Sequence, residues 1–151
     1  MRAGYTSTIA WNWDTSSVNN NPTLSGGALY TFFGSNVLWN GITSIIGNSA
    51  AIHGGASYFS EDSSVSWTAE TSFTGNYAIS SGGAIYVTTG SNINVGGGTN
   101  CLSNKAALDG GVVFFYAGND EAVSSYFMDN DPVVLFHENM RRQRRCYCVN
   151  R

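Results

Sequence analysis

Four residues of the types used in hydrolytic catalysis stand at one recurring position. Ser25, His53, Ser81 and Asp109 each precede a pair of glycines, at intervals of 28 residues. A serine nucleophile, a histidine base and an acid that orients the base would form a catalytic triad. If successive repeats stack at the spacing of β-strands, His53 and Asp109 are two layers and about 10 Å apart. That distance excludes a direct hydrogen bond, so the pattern favours a polar turn column over a catalytic site.

Two acidic pairs point to a different chemistry. Glu61-Asp62 and Asp120-Glu121 occupy similar positions two repeats apart. Glycoside cleavage uses two carboxyl groups, one of them a general acid, and calcium is bound by clustered carboxylates. A separation of about 10 Å is too long for one calcium cage. Since Lys105 falls on another side of the repeat, we predict a solvated acidic face without catalytic residues, cofactor or metal.

All these residues belong to a repeat of 28 residues, which must position them. Its most regular members are glycine pairs and single asparagines: Gly26, Gly27, Gly54, Gly55, Gly82, Gly83, Gly110 and Gly111, with Asn20, Asn48, Asn76 and Asn104. An aromatic column repeats at Tyr30, Tyr58, Tyr86 and Phe114. A fixed period of this length predicts a solenoid. We interpret the glycines as turn residues and the asparagines as a ladder of side-chain amides, so both sets are structural.

Each repeat contains three strand-like segments and no helical pattern. One follows the glycines, one alternates apolar with other residues, as in Val65-Ser66-Trp67, and one precedes the asparagine. In the last repeat we expect the second and third segments at residues 121–123 and 126–127. The pattern predicts an all-β, right-handed parallel β-helix of about four 28-residue coils, with three short strands per coil.

The repeat sets the expected domain limits. Residues 16–136 are predicted to form the β-helix, and residues 1–15 either a cap or the continuation of a truncated array. Residues 137–151 are predicted to be a basic, disordered tail. Met1 to Trp13 contain no apolar stretch suited to a signal peptide. We therefore expect any export signal or membrane contact to belong to missing parts of a longer parent protein.

Charge and cysteine usage exclude several classes of partner. Residues 1–140 hold all ten acidic residues and only two basic ones, Arg2 and Lys105. Such an acidic body argues against binding nucleic acid, because phosphates are bound by lysine and arginine. Cys101 shares a column with apolar residues and is expected to fill a core position. Cys146 and Cys148 lie in the basic tail without histidine, which is a poor pattern for zinc.

One stretch of the chain resembles a known repeat. Phe73-Thr74-Gly75-Asn76, followed by Gly82-Gly83-Ala84-Ile85, resembles the FxxN and GGAI motifs of the chlamydial-type polymorphic outer membrane protein repeat. The resemblance covers residues 17–131, with Phe127 to Asn130 as a second strict FxxN. It implies a surface-exposed or secreted passenger region, often adhesive, at the cell surface or outside the cell.

We therefore predict a noncatalytic repeat module that acts in adhesion or as a structural spacer. The expected partners are a surface protein or glycan of a host or neighbouring cell, and flanking repeats of the same chain. The alternative is a polysaccharide-active enzyme of the pectate lyase or polygalacturonase type, since those enzymes are also β-helices. Outward aromatic residues in one line, with Phe32, Phe59 and Tyr116 as candidates, favour binding. Carboxylates that converge within about 5–10 Å in a groove favour cleavage.

Overall fold

The computed structural model describes residues 2–21, 24–88, 90–95 and 98–116, and the strands at 127–129 and 134–137. Every regular element in this part of the chain is a β-strand. The strands wind as a parallel β-solenoid of about four turns, which confirms the predicted fold class. The right-handed sense stays a prediction from the general rule for parallel crossovers.

The strands fall into successive coils. The first two coils contain β1 (Arg2–Gly4), β2 (Thr8–Trp11) and β3 (Thr15–Val18), then β4 (Leu29–Phe32), β5 (Asn36–Trp39), β6 (Thr43–Ile46) and β7 (Ser49–Ala50). The next two contain β8 (Ser57–Phe59), β9 (Ser64–Trp67), β10 (Thr71–Thr74) and β11 (Tyr77–Ala78), then β12 (Ile85–Val87), β13 (Asn92–Val95), β14 (Thr99–Leu102) and β15 (Lys105–Ala106). The final coil begins with β16 (Val113–Phe115) and continues with β17 (Phe127–Asp129) and β18 (Val134–His137).

Equivalent strands of successive coils pair in parallel to form four sheets. The first sheet is β1-β4-β8-β12-β16, the second β2-β5-β9-β13-β17, and the third β3-β6-β10-β14-β18. The fourth sheet, β7-β11-β15, adds two-residue strands to the three per coil that the sequence predicts. β1 and β2 pair with β4 and β5 in the same register as later coils, so residues 2–18 stack as a coil.

The last coil departs from the 28-residue spacing, and here the sequence-based alignment is wrong. Phe127 pairs with Ile93 in the second sheet, and Phe136 pairs with Cys101 in the third. The FxxN at Phe127 therefore begins in the second sheet, whereas the FxxN at Phe73 begins in the third. The spacing of Phe127 from Ile93 is 34 residues instead of 28, because the connection after β16 is longer. The predicted strand at 121–123 and residues 138–151 lie outside the described residues.

The core consists of inward-facing columns that run through the coils. It contains the side chains of Leu29, Val37, Trp39, Ile45, Phe59, Val65, Trp67, Phe73, Ile85, Val87, Ile93 and Cys101. Cys101 is 2% exposed and lies in register with Phe73, as expected. Because each strand alternates inward and outward side chains, this core fixes which residues of every strand remain for the surface.

The two positions of a glycine pair require glycine for different structural reasons. Gly82 has φ +69, a left-handed conformation in which a Cβ would meet the carbonyl oxygen of Ile85. A Cβ on Gly83 would meet the carbonyl oxygen of Gly111 in the next coil. The first glycine thus permits the turn, and the second permits close backbone contact between coils.

The asparagines form a continuous internal ladder. The Oδ1 atom of Asn76 accepts hydrogen bonds from the backbone N (3.0 Å) and Nδ2 (3.2 Å) of Asn48. Nδ2 of Asn76 in turn donates to Oδ1 of Asn104 at 2.9 Å and to the carbonyl of Ile45 at 2.9 Å. Asn48, Asn76 and Asn104 are fully buried. Each amide therefore satisfies backbone groups at a turn that water does not reach.

Candidate functional site: the outer aromatic ladder

The first sheet presents aromatic rings to the outside of the solenoid. In β4, Leu29 and Thr31 are buried, whereas Tyr30 and Phe32 are half-buried on the opposite face. Pairing in register places Tyr30, Tyr58, Tyr86 and Phe114 above one another. We call these four residues the outer ladder. Alternation along the strand, with the core on the other side, explains their outward direction.

The rings of the outer ladder stack on one another. The centroids of Tyr30 and Tyr58 are 4.9 Å apart with an interplanar angle of 10°. Tyr58 and Tyr86 are 5.2 Å apart at 5°, and Tyr86 and Phe114 are 5.2 Å apart at 27°. These distances are typical of offset stacking. Each interior ring therefore contacts its neighbours with both faces, and of the two interior rings only that of Tyr58 is partly exposed.

A cation continues the outer ladder into the first coil. Arg2 pairs with Tyr30 in the sheet register. Its guanidinium carbon is 5.6 Å from the ring centroid of Tyr30 and 4.7 Å from that of Phe32. Both distances fit cation–π attraction. The positive group is therefore associated with the terminal ring of the stack.

A second group of rings lies at the turn after the first sheet. Tyr5 stacks on Phe33 at 5.2 Å, and both contact Phe32 edge-on. We call these three residues the aromatic corner. Tyr5 is 74% exposed, and both Tyr5 and Phe33 have positive φ, 57° and 53°. Bulky residues are uncommon in this conformation, so the turn holds exposed rings at a cost in backbone strain.

His53 packs against the outer ladder. Its ring centroid is 4.2 Å from that of Tyr86 and 6.4 Å from that of Tyr58. Nδ1 is buried and has no hydrogen-bond partner among the described residues. Burial lowers the pKa of His53 below its usual value, because the imidazolium would lose hydration. His53 is thus an uncharged aromatic neighbour of Tyr86.

The column of Ser25, His53, Ser81 and Asp109 does not assemble a triad. The backbones stack as expected: the carbonyls of His53, Ser81 and Asp109 accept hydrogen bonds from the glycines of the preceding coil. Ser25 Oγ, however, accepts its bond from the backbone N of His53 at 3.3 Å, and the imidazole faces Tyr86. The geometry needed for an activated serine is not formed by these side chains.

The hydroxyl groups of Tyr58 and Tyr86 are held in their neutral form. Burial, followed by the neighbouring Tyr30 and Glu61, raises the pKa of Tyr58. Burial, followed by Tyr58 and Tyr116, raises the pKa of Tyr86 further. These two phenols therefore remain protonated well above neutral pH and can both donate and accept hydrogen bonds.

The predicted acidic face is only partly within the described structure. Glu61 and Asp62 are exposed at the turn after β8 with φ of 51° and 60°. Asp120 and Glu121 lie outside the described residues. In the described part of the chain, no group of three or more His, Cys, Asp and Glu side chains could hold a metal ion.

Of the three aromatic residues that the sequence predicts at the surface, one prediction is wrong. Phe59 is fully buried and makes an edge contact with Trp67 in the core. Phe32 is half-buried in contact with Arg2, and Tyr116 is 45% exposed. The ladder of Tyr30, Tyr58 and Tyr86 is the outward column instead. Because Tyr58 and Phe59 are adjacent and both aromatic, the sequence does not show which of the two faces the core.

These features define a parallel β-solenoid repeat module with an aromatic ladder on its outer surface. Residues 70–88 match the family model described as the Chlamydia polymorphic membrane protein repeat. The matched segment contains the turn at Asn76, the pair Gly82-Gly83 and the ladder residue Tyr86. Comparisons with curated proteins and with solved structures give no match. Among the described residues, no helix is long and apolar enough to cross a membrane.

Proposed function

We propose that this protein is a noncatalytic binding module exposed at a cell surface, and that it adheres through the outer ladder and the aromatic corner. The observation that carries the proposal is the alignment of the partly exposed rings of Tyr30 and Tyr58 along one face, beside the exposed rings of Tyr5 and Phe33. Contiguous exposed apolar and aromatic surface marks interaction sites in soluble proteins. Tyrosine and arginine, both present here, are enriched among the residues that dominate binding energy.

The repeat match supports the surface location. The family model is that of a membrane protein repeat, and the matched segment supplies one rung of the ladder. A solenoid presents an extended face whose pattern recurs with every coil, which suits a role in adhesion. The partner is a surface component of a host or neighbouring cell.

Adhesion is tested with beads that carry the purified protein. Beads coated with wild type, Tyr58→Ser or Tyr77→Ser are incubated with cultured epithelial cells and with algal cells, and bound beads are counted. Tyr77 is a matched control because it is a half-buried tyrosine on the fourth sheet. We expect wild type and Tyr77→Ser to bind at least one cell type, and Tyr58→Ser to lose most of that binding.

Two other results would count against the proposal. Equal binding by wild type and Tyr58→Ser beads would remove the outer ladder as the adhesive face. A failure of wild-type beads to bind either cell type above the level of uncoated beads would favour the spacer role. Circular dichroism of each variant confirms that binding is compared between folded proteins.

A further inference from the structure

The spacing of the outer ladder matches a repeating ligand. Tyr30, Tyr58 and Tyr86 recur at 4.9 and 5.2 Å along the solenoid axis, because each comes from the next coil. The rings are held by parallel pairing of β4, β8 and β12, so the spacing is fixed before a ligand arrives. A preformed row of identical groups is best matched by a ligand that repeats with the same step.

The chemistry of the row indicates an uncharged ligand with hydroxyl groups. Its side chains are phenols and rings, and Arg2 is the one charged group that the described residues place in this column. Glu61 and Asp62 border the row at the following turn. Carboxylates at that position oppose an anionic chain, while phenol groups exchange hydrogen bonds with neutral hydroxyls.

The accessible part of the row is shorter than the whole ladder. Tyr30 and Tyr58 are half-buried, whereas Tyr86 is only 5% exposed. The rings of His53 and Tyr116 lie next to Tyr86 and contribute to its burial. A ligand that runs along the axis therefore contacts the segment from Arg2 through Tyr58 and ends near His53. That segment contains three rungs separated by two steps between coils, roughly 10 Å.

We propose that the outer ladder binds a neutral, extended β-1,4-linked glycan that runs along the solenoid axis with one sugar per coil. In such a polymer each sugar advances the chain by close to one β-strand spacing. Phenol hydroxyls at successive rungs bond to successive sugars, and the exposed ring edges contact their C–H groups. This proposal rests on the binding function above and specifies its ligand class.

The first test measures how binding depends on ligand length and linkage. Isothermal titration calorimetry is carried out with cellulose and chitin oligosaccharides of two to six sugars, and with maltohexaose and polygalacturonate as controls. Maltohexaose contains the same sugar as cellohexaose in a curved α-1,4-linked chain. We expect affinity for one β-1,4 series to rise at least tenfold from two to three sugars, one for each accessible rung, and then level off.

The second test removes single hydroxyl groups without removing rings. Tyr58→Phe keeps the stack and loses its hydroxyl, and we expect it to bind the tetrasaccharide at least fivefold more weakly. Tyr77→Phe makes the same change on another face and should bind like wild type. Unchanged binding by Tyr58→Phe would overturn the proposed role of the row.

The remaining outcomes separate this proposal from the adhesive function. Equal affinity for maltohexaose, preference for polygalacturonate, or no binding of any β-1,4 oligosaccharide would overturn the glycan proposal. If Tyr58→Ser still abolished adhesion of beads to cells, the adhesive function would stand with a protein ligand. If wild type bound the oligosaccharides but not cells, the glycan proposal would stand alone.

Discussion

Two aromatic ladders run through this solenoid in parallel, one inside and one outside. The inner ladder is Trp11, Trp39 and Trp67, with centroid distances of 4.7 and 5.4 Å and interplanar angles of 10° and 6°. The outer ladder of tyrosines has almost the same geometry. In-register parallel pairing therefore produces stacking on either face of a sheet.

The two ladders differ in what their polar atoms meet. Nε1 of Trp39 and of Trp67 is buried and has no hydrogen-bond partner among the described residues. The hydroxyl groups of Tyr30 and Tyr58 lie on half-buried rings at the surface. In the inner ladder, burial of the indole rings in the core offsets the cost of leaving these Nε1 groups without hydrogen bonds. The outer ladder does not fill the core, and its phenol groups remain suited to recognition.

Replacing a ring of the inner ladder should have the largest effect on stability. Trp67 is 1% exposed and contacts Trp39, Phe59 and Phe73. We expect Trp67→Ala to lower the free energy of unfolding by about 3–5 kcal/mol, as is usual for truncating a buried tryptophan. Urea denaturation followed by circular dichroism measures the loss.

The matched change in the outer ladder should cost less. Tyr58→Ala removes two stacking contacts on a half-buried ring, and we expect a loss of about 1–2 kcal/mol. Equal losses for Trp67→Ala and Tyr58→Ala would mean that both ladders are structural to the same degree. That result would contradict the distinction between an inner ladder that fills the core and an outer ladder that does not.

The inner polar ladder should rank between these two changes. Asn76→Ala removes the acceptor of Asn48 and a donor to the carbonyl of Ile45, in a region without exposure to water. We expect a loss of about 3 kcal/mol, because buried polar groups remain unpaired. Asn20 is exposed and belongs to the same ladder, so Asn20→Ala should cost less than about 1 kcal/mol. Thermal denaturation of both variants tests this order, and a reversed order would contradict it.

A backbone change at the same turn should have a smaller effect. Gly75 has φ +63, and a Cβ built on it would meet no atom within 4 Å. Gly75→Ala therefore adds only the strain of a left-handed alanine, about 1 kcal/mol. Ser103 shows that the turn tolerates a side chain there, at φ +55. A loss of 3 kcal/mol or more in urea denaturation would show that the turn cannot relax, against this estimate.

We expect the smallest effect from the titration of His53, which should make the stability of the fold depend on pH. Its pKa is lowered in the fold by burial, so the unfolded chain binds more protons just below the ordinary value of 6.5. The contribution to stability is complete above that pH and is lost as the pH falls towards the folded pKa. His53→Phe keeps a ring beside Tyr86 and cannot titrate.

Melting temperatures of wild type and His53→Phe between about pH 7.5 and pH 5 test this effect. We expect wild type to lose more stability over that range than the variant. The comparison uses the slopes, because the variant also changes the packing against Tyr86. Parallel slopes would show that the imidazole of His53 can be protonated beside the outer ladder without a loss of stability.

Much of the fold and the aromatic column itself could be read from periodicity, but the outward direction of that column could not. The glycine interval predicts the coil register that pairs Tyr30 with Tyr58 and Tyr86. The same interval does not say which neighbour, Tyr58 or Phe59, faces the core. Likewise, the FxxN at Phe127 is a genuine local match that the longer connection moves to another sheet.

The sequence by itself determined the repeat, because each 28-residue interval carries its own glycine pair and asparagine and the same local turn forms in each coil. Only the tertiary structure decided which column becomes the surface. Inward and outward positions in a strand differ by one residue, and the choice depends on how all four sheets close around one core. Closure buries Phe59 and Trp67 and leaves Tyr30 and Tyr58 outside, where they can contact a ligand.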